Sequence, residues 1–83
     1  MPYIHQDIRD QLAAHHCDSA TPGQLNYTIT NMILEYIGDD VNYTTLNEVI
    51  GVLECVKLEL YRRMASPHED KKIKENGDVY PKL

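Results

Sequence analysis

Residues 46–64 constrain the fold more than any other part of this 83-residue sequence. They form its longest apolar stretch, and they include no proline. Their apolar side chains recur with the roughly 3.6-residue period of an amphipathic helix. We therefore predict a long third helix over about residues 43–65, with Asn42 as its N-cap, and expect the other segments to pack on it. The predicted apolar stripe comprises Leu46, Val49, Ile50, Val52, Leu53, Val56, Leu60, Tyr61 and Met64.

Start and stop signals define two helices before this one. The sequence TPGQ at positions 21–24 has the pattern of a capping box with proline at the first helical position. Gly38 is a typical C-terminal stop, so these signals predict a helix over residues 22–37. Apolar residues four apart at the start of the chain predict an earlier helix over about residues 5–16.

The segment after the third helix has two interpretations. The sequence SPHE at positions 66–69 repeats the helix-start pattern and predicts a short fourth helix over about residues 67–75. The Asn-Gly pair that follows suits either a helix C-cap or the turn of a hairpin pairing Ile73 with Tyr80. The helix is favoured because its acidic residues precede its basic ones, as the helix dipole prefers. We expect residues 76–83 to form an extended tail.

Together these elements predict an all-α fold. It is a small bundle of three main helices with a short C-terminal helix or turn and an extended tail, forming one domain over residues 1–83. Domains of this size often need oligomerisation to become stable. The third helix supports that idea, because Cys55 and Leu58 lie on the side opposite the stripe. A helix that is apolar beyond one face usually contacts a second partner, so we expect a homo-oligomer.

Composition and charge narrow the classes of function. The formal net charge of −5 argues against binding nucleic acid through bulk charge. No apolar run approaches the roughly 18–20 residues of a membrane span, and no targeting segment is recognisable. The expectation is a soluble cytoplasmic protein that binds neither nucleic acid nor a membrane, with Cys17 and Cys55 as free thiols.

Lys57 is the most unusual residue, because it lies within the apolar stripe. Glu54 and Tyr61 lie about one turn away on the same edge of the helix. An ammonium group that faces a core must be paired or must extend to solvent. Lys57 either forms a structural ion pair, with Glu54 or with Glu35 of the second helix, or provides a cationic wall for an anion pocket. A catalytic lysine is disfavoured, since the sequence shows no carbonyl-reactive site.

A second cluster combines basic residues with a tyrosine. Guanidinium groups bind phosphate or carboxylate in a bidentate way, and a tyrosine ring offers a stacking surface. The alternative is salt bridging to the acidic residues nearby. The cluster consists of Arg62, Arg63, Lys71, Lys72 and Tyr80, and the acidic neighbours are Glu59, Glu69 and Asp70. From both clusters, the candidate ligand- or partner-binding residues are Glu54, Lys57, Tyr61, Arg62, Arg63 and Tyr80.

The sequence predicts no metal site, no cofactor and no enzymatic activity. Its histidines and first cysteine lack the spacing of a zinc site. These residues are His5, His15, His16, Cys17 and His68. The acidic residues near positions 76–78 lack the alternating oxygen ligands of a calcium loop. Nucleophile-elbow, P-loop and dinucleotide-binding motifs are also missing from the sequence.

Several segments resemble a known family. They are NEVIGVLECVKLE at positions 47–59, YRR at 61–63, ENGDVY at 75–80 and the MPYI start at 1–4. These segments resemble a family of short, uncharacterised proteins of bacterial and phage genomes, over about half of the chain. The resemblance implies a bacterial or phage origin and brings no activity with it.

Two functions are consistent with these patterns. The first is a non-enzymatic phage or bacterial accessory protein, a homo-oligomeric helical interaction module that binds or modulates a host or phage protein. The alternative is binding or sequestration of a small anionic, nucleotide-like ligand, as in phage counter-defence. The two-sided third helix favours the first, and the basic cluster favours the second.

Overall fold

The computed structural model describes residues 2–13 and 18–81, and every regular element in these two ranges is helical. The all-α class, with three main helices and a short C-terminal helix, is confirmed. The elements are α1 (Gln6–Leu12), α2 (Pro22–Ile37), α3 (Tyr43–Leu60), a π-helical segment (Tyr61–Ala65) and α4 (Ser66–Asn76).

The predicted capping box begins α2. Thr21 Oγ1 accepts a hydrogen bond from the Gln24 N–H at 3.2 Å. Gln24 Oε1 in turn accepts from the Ala20 N–H at 2.8 Å, one residue before the N-cap. At the other end Gly38 has a φ of +66° and donates its N–H to Leu34 O. Residues with a side chain rarely adopt that φ, so glycine ends the helix here.

Asn42 caps α3 as predicted. Its Oδ1 accepts from the Thr45 N–H at 2.9 Å, and Thr45 Oγ1 lies 3.2 Å from the same oxygen. Hydrogen bonds therefore fix both ends of the loop between α2 and α3, at Gly38 and at Asn42. The most shielded apolar residues beside this loop are Ile33, Ile37 and Val49, each of which is half-buried.

The helical backbone continues past Leu60, where the sequence predicted a break near Pro67. Leu60, Ala65 and Ser66 all have right-handed helical dihedral angles. The Ser66 N–H donates to Tyr61 O, five residues back, as in a π-helix. Proline in an α-helix lacks an N–H and clashes with the carbonyl four residues back. A wider turn directly before Pro67 relieves that clash, so the chain bulges instead of ending the helix.

Helix α4 ends at Asn76, and Gly77 is its C-cap. Gly77 has a φ of +89° and donates its N–H to Ile73 O. The helical interpretation of this segment is confirmed, because Ile73 lies within α4 and its carbonyl accepts from the Gly77 N–H, whereas a hairpin would pair Ile73 with Tyr80. In the tail, the Tyr80 N–H donates to Asp78 Oδ1 at 2.9 Å.

Helix α1 comprises Gln6–Leu12 in the structure, within the predicted range of about 5–16. Its hydrogen bonds end with the Ala13 N–H donating to Arg9 O, and the rest of the predicted range, with His15, His16 and Cys17, lies outside the described residues. Arg9 Nε also donates to Ile4 O at 2.7 Å, which ties the helix to the residues that precede it.

The chain divides into two compact units, residues 1–52 and 53–83, and α3 contributes to both. The first unit contains α1, α2 and the start of α3, where Tyr36 Oη lies 3.4 Å from Glu48 Oε2. The second contains the end of α3, the π-helical segment, α4 and the tail. Within it, α4 follows directly on the π-helical segment.

The expected packing into a buried core is not found among residues 2–13 and 18–81. No residue in the described ranges is buried. The large apolar and tyrosine side chains of the predicted stripe are exposed, with the half-buried Val49 as its exception. Amphipathic periodicity predicts which face of a helix is apolar, but it does not specify whether the same chain or another one covers that face.

Replacing Asn42 by Ala should lower the free energy of unfolding by about 1 kcal/mol, because the Thr45 N–H loses its acceptor at the start of α3. Urea unfolding followed by circular dichroism at one fixed protein concentration measures the change. Asn47→Ala is the matched control, since Asn47 is exposed within α3, and it should be neutral or slightly stabilising. Equal losses in both variants would contradict a capping role for Asn42.

Candidate functional site

Lys57 forms an ion pair with Glu54, the first of the two partners predicted for it. Lys57 Nζ lies 3.1 Å from Glu54 Oε1, and the two residues are three apart in α3. The Lys57 side chain is 70% exposed and that of Glu54 is 55% exposed, so solvent screens the attraction. Tyr61, the third member of the predicted cluster, is exposed in the π-helical segment, where no polar contact of its hydroxyl is seen among the described residues.

The basic cluster is partly occupied by ion pairs along the same helical run. The Arg62 guanidinium contacts Glu59 Oε1 one turn away, and Glu59 is the half-buried member of this pair. Lys72 Nζ lies 3.4 Å from Glu75 Oε2 in α4. The salt bridge to Glu59 that the sequence suggested for this cluster is therefore present. In the described part of the chain, no ion pair of Arg63 is found.

Tyr80 lies in the tail after α4, and its ring is exposed. The backbone hydrogen bond to Asp78 fixes the chain locally, as in an Asx turn. The structure thus places five of the six predicted site residues on one helical run, residues 54–63, and the sixth beyond the end of α4.

This arrangement offers exposed charged side chains on one helical run. Cys55 is a free, exposed thiol on α3. Among the described residues, no three His, Cys, Asp or Glu side chains approach closely enough to hold a metal ion. The described helices also include none that is long and apolar enough to cross a membrane. The run 54–63 can attract an anion or pair with complementary charges on another surface.

A second surface feature lies at the N-terminus of α2, where the sequence predicted only a capping box. An open depression of about 440 Å³ is lined there by residues before and within the helix. Ser19 Oγ and Thr28 Oγ1 lie 2.9 Å apart at its edge. The remaining lining residues are Asp18, Gly23, Gln24 and Tyr27. Periodicity could not reveal this feature, because it depends on how the segment before Thr21 folds back along α2.

Comparison with known proteins places the chain in a family. The model of a domain of unknown function, DUF6899, matches residues 1–79. The chain belongs to this family. The predicted membership of an uncharacterised family is thereby confirmed. Neither the curated proteins nor the solved structures provide a match.

Arg62→Gln should lower the free energy of unfolding by at most about 0.5 kcal/mol, because the pair with Glu59 is an exposed contact between residues three apart. Thermal and urea unfolding at matched concentrations measure this. Arg63→Gln is the control, since it breaks no ion pair seen in the described residues, and it should leave stability unchanged. A larger loss with Arg63→Gln than with Arg62→Gln would indicate a partner for Arg63 that this arrangement does not include.

Proposed function

We propose that the protein is a non-enzymatic, homo-oligomeric helical interaction module that binds or modulates a protein partner. We place it in the cytoplasm of a bacterium or in a phage-infected host. One observation carries this proposal: the helices have apolar faces, and none of the described residues is buried. Apolar helix faces are exposed in this way in a single chain when other chains cover them in the assembly.

The energetics point in the same direction. Burying one Leu or Ile side chain contributes roughly 1.5–3 kcal/mol relative to leaving it exposed. Net stabilities of small domains are only about 5–15 kcal/mol, so a few uncovered side chains decide whether a chain folds. On α3 alone, Leu46, Ile50, Leu53 and Leu60 are exposed. Association that covers them stabilises the fold and forms the interface in one step.

The assignment of no reaction rests on what the candidate residues do in the structure. Lys57 and Arg62 have carboxylate partners one turn away. A nucleophile or general base needs a second group that activates it and a site that excludes water. The five candidate residues of the run 54–63 are exposed instead, as expected for a surface that pairs with another surface.

The purified protein should sediment as an oligomer at micromolar concentration, because the apolar faces are covered only on association. Its unfolding midpoint should rise with protein concentration. For a dimer, the free energy of unfolding should increase by about 1.4 kcal/mol for each tenfold increase in concentration. Analytical ultracentrifugation and denaturation over a hundredfold concentration range test both. A well-folded monomer at micromolar concentration would contradict the proposal.

Binding of a small anionic ligand is the second candidate. It is favoured by the basic residues of the run 54–63, since Lys57, Arg62 and Arg63 lie within seven positions of one another along one helical run. Guanidinium groups bind phosphate in a bidentate way, through two parallel N–H donors.

If this candidate is correct, a nucleotide or cyclic dinucleotide should raise the unfolding temperature, because ligands stabilise the state that binds them. Thermal-shift measurements against a nucleotide panel, with inorganic phosphate as the simplest probe, test this. The double variant Arg62→Gln/Arg63→Gln should lose the shift, whereas Lys74→Gln in α4 should keep it. The absence of any shift across the panel would exclude this candidate.

A further inference from the structure

Helix α3 carries a heptad pattern on its exposed side. Large residues recur at alternating spacings of three and four, which is the a/d pattern of a coiled coil. We call these six residues the heptad stripe. They are Tyr43, Leu46, Ile50, Leu53, Lys57 and Leu60, with Leu46, Leu53 and Leu60 at d and the others at a. Every d position is a leucine, the residue that packs best at d in paired helices.

All six residues of the heptad stripe are exposed, although Leu46 and Leu53 are each only 40% exposed. The most shielded residues in the first part of α3 are Thr45 and Val49, which lie beside the stripe and not on it. Ile50 is 65% exposed and Leu60 58% exposed. The heptad stripe is therefore available to a partner helix with the same pattern, and a second copy of α3 has that pattern by definition.

Lys57 decides how two copies can pair. A single lysine at an a position specifies the register and orientation of a coiled coil. In a parallel pair, a positions face each other, so Lys57 would meet Lys57 of the second copy in a partly desolvated seam. In an antiparallel pair, a positions face d positions. Lys57 then meets Leu53 of the second copy instead of the other lysine.

Glu54 makes the antiparallel pair electrically neutral at its centre. Glu54 occupies an e position, and the e positions of two antiparallel helices lie along the same edge of the pair. The ion pair at 3.1 Å already draws the Lys57 ammonium towards that edge. An axis of symmetry near Cys55 then brings two Glu54 carboxylates and two Lys57 ammonium groups together. Each lysine has a carboxylate from its own chain and one from the second copy.

We infer that α3 pairs with α3 of a second copy in an antiparallel coiled coil that crosses near Cys55, with the Glu54 and Lys57 pairs at its centre. This inference rests on the proposed homo-oligomer and specifies its interface. Ile50 faces Leu60 of the second copy, and Cys55 lies on the outer side of the helix.

Mixed disulfide formation tests the orientation. In a Cys17→Ser/Cys55→Ser background, Ile50→Cys and Leu60→Cys proteins are prepared separately, mixed under reducing conditions and oxidised. The antiparallel pair predicts a covalent dimer of the two different chains and little self-linking of either, because each position faces the other type. The Cys17→Ser protein, which keeps Cys55 on the outer side, is the control and should not link to itself.

The outcomes separate this inference from the proposed function. Self-linking of Ile50→Cys would indicate a parallel pair and overturn the inference. An oligomer without the mixed link would also overturn it, while leaving the proposed homo-oligomer intact. A monomer in sedimentation would overturn both.

Exchanging the charges provides a second measurement that does not depend on the cysteine variants. Lys57→Glu and Glu54→Lys, each alone, create four like charges at the centre and should weaken association at least about tenfold. The double variant Lys57→Glu/Glu54→Lys restores two charges of each sign and should recover it, as measured by sedimentation equilibrium. Unchanged association of the single variants would overturn the inference. It would fit a parallel pair, in which Lys57→Glu replaces a contact between two lysines by a contact between two glutamates.

Discussion

Apolar side chains that the described chain does not cover are the constraint on which the rest of this structure depends. The helices have the amphipathic periodicity of a bundle, yet none of the described residues is buried. In most small domains the hydrophobic effect fixes how helices pack against one another. Here the apolar faces are exposed to solvent, so folding and association are coupled in the proposed oligomer.

Local interactions hold the helices in place. Capping by Thr21 and Asn42 satisfies N–H groups at the starts of α2 and α3, and the positive φ of Gly38 and Gly77 ends α2 and α4. Each such interaction contributes on the order of 1 kcal/mol, and isolated helices of this length are marginal in water. Capping therefore defines where α2 and α3 begin, while the stability of these helices requires contacts on their apolar faces.

The bounds of α2 and the start of α3 were predictable because their signals are short-range. A hydroxyl or amide side chain reaches a backbone N–H two or three residues away, and a glycine ends a helix through its own φ. The ion pairs of Lys57 and Arg62 were predictable for the same reason, since residues three apart are neighbours on a helix. The continuation through Pro67 was not, because SPHE fits a new helix start as well as a bulge. Which one forms depends on whether the preceding turn can widen.

The sequence by itself determined the helical class, the caps and the apolar face of each helix, because all of these depend on residues within about one turn of each other. Only the tertiary structure decided that α3 passes through a π-helical segment into α4, that the Lys57 side chain is exposed, and that the depression at the start of α2 exists. Burial and shape depend on distances between segments far apart in the chain. Periodicity carries no information about those distances.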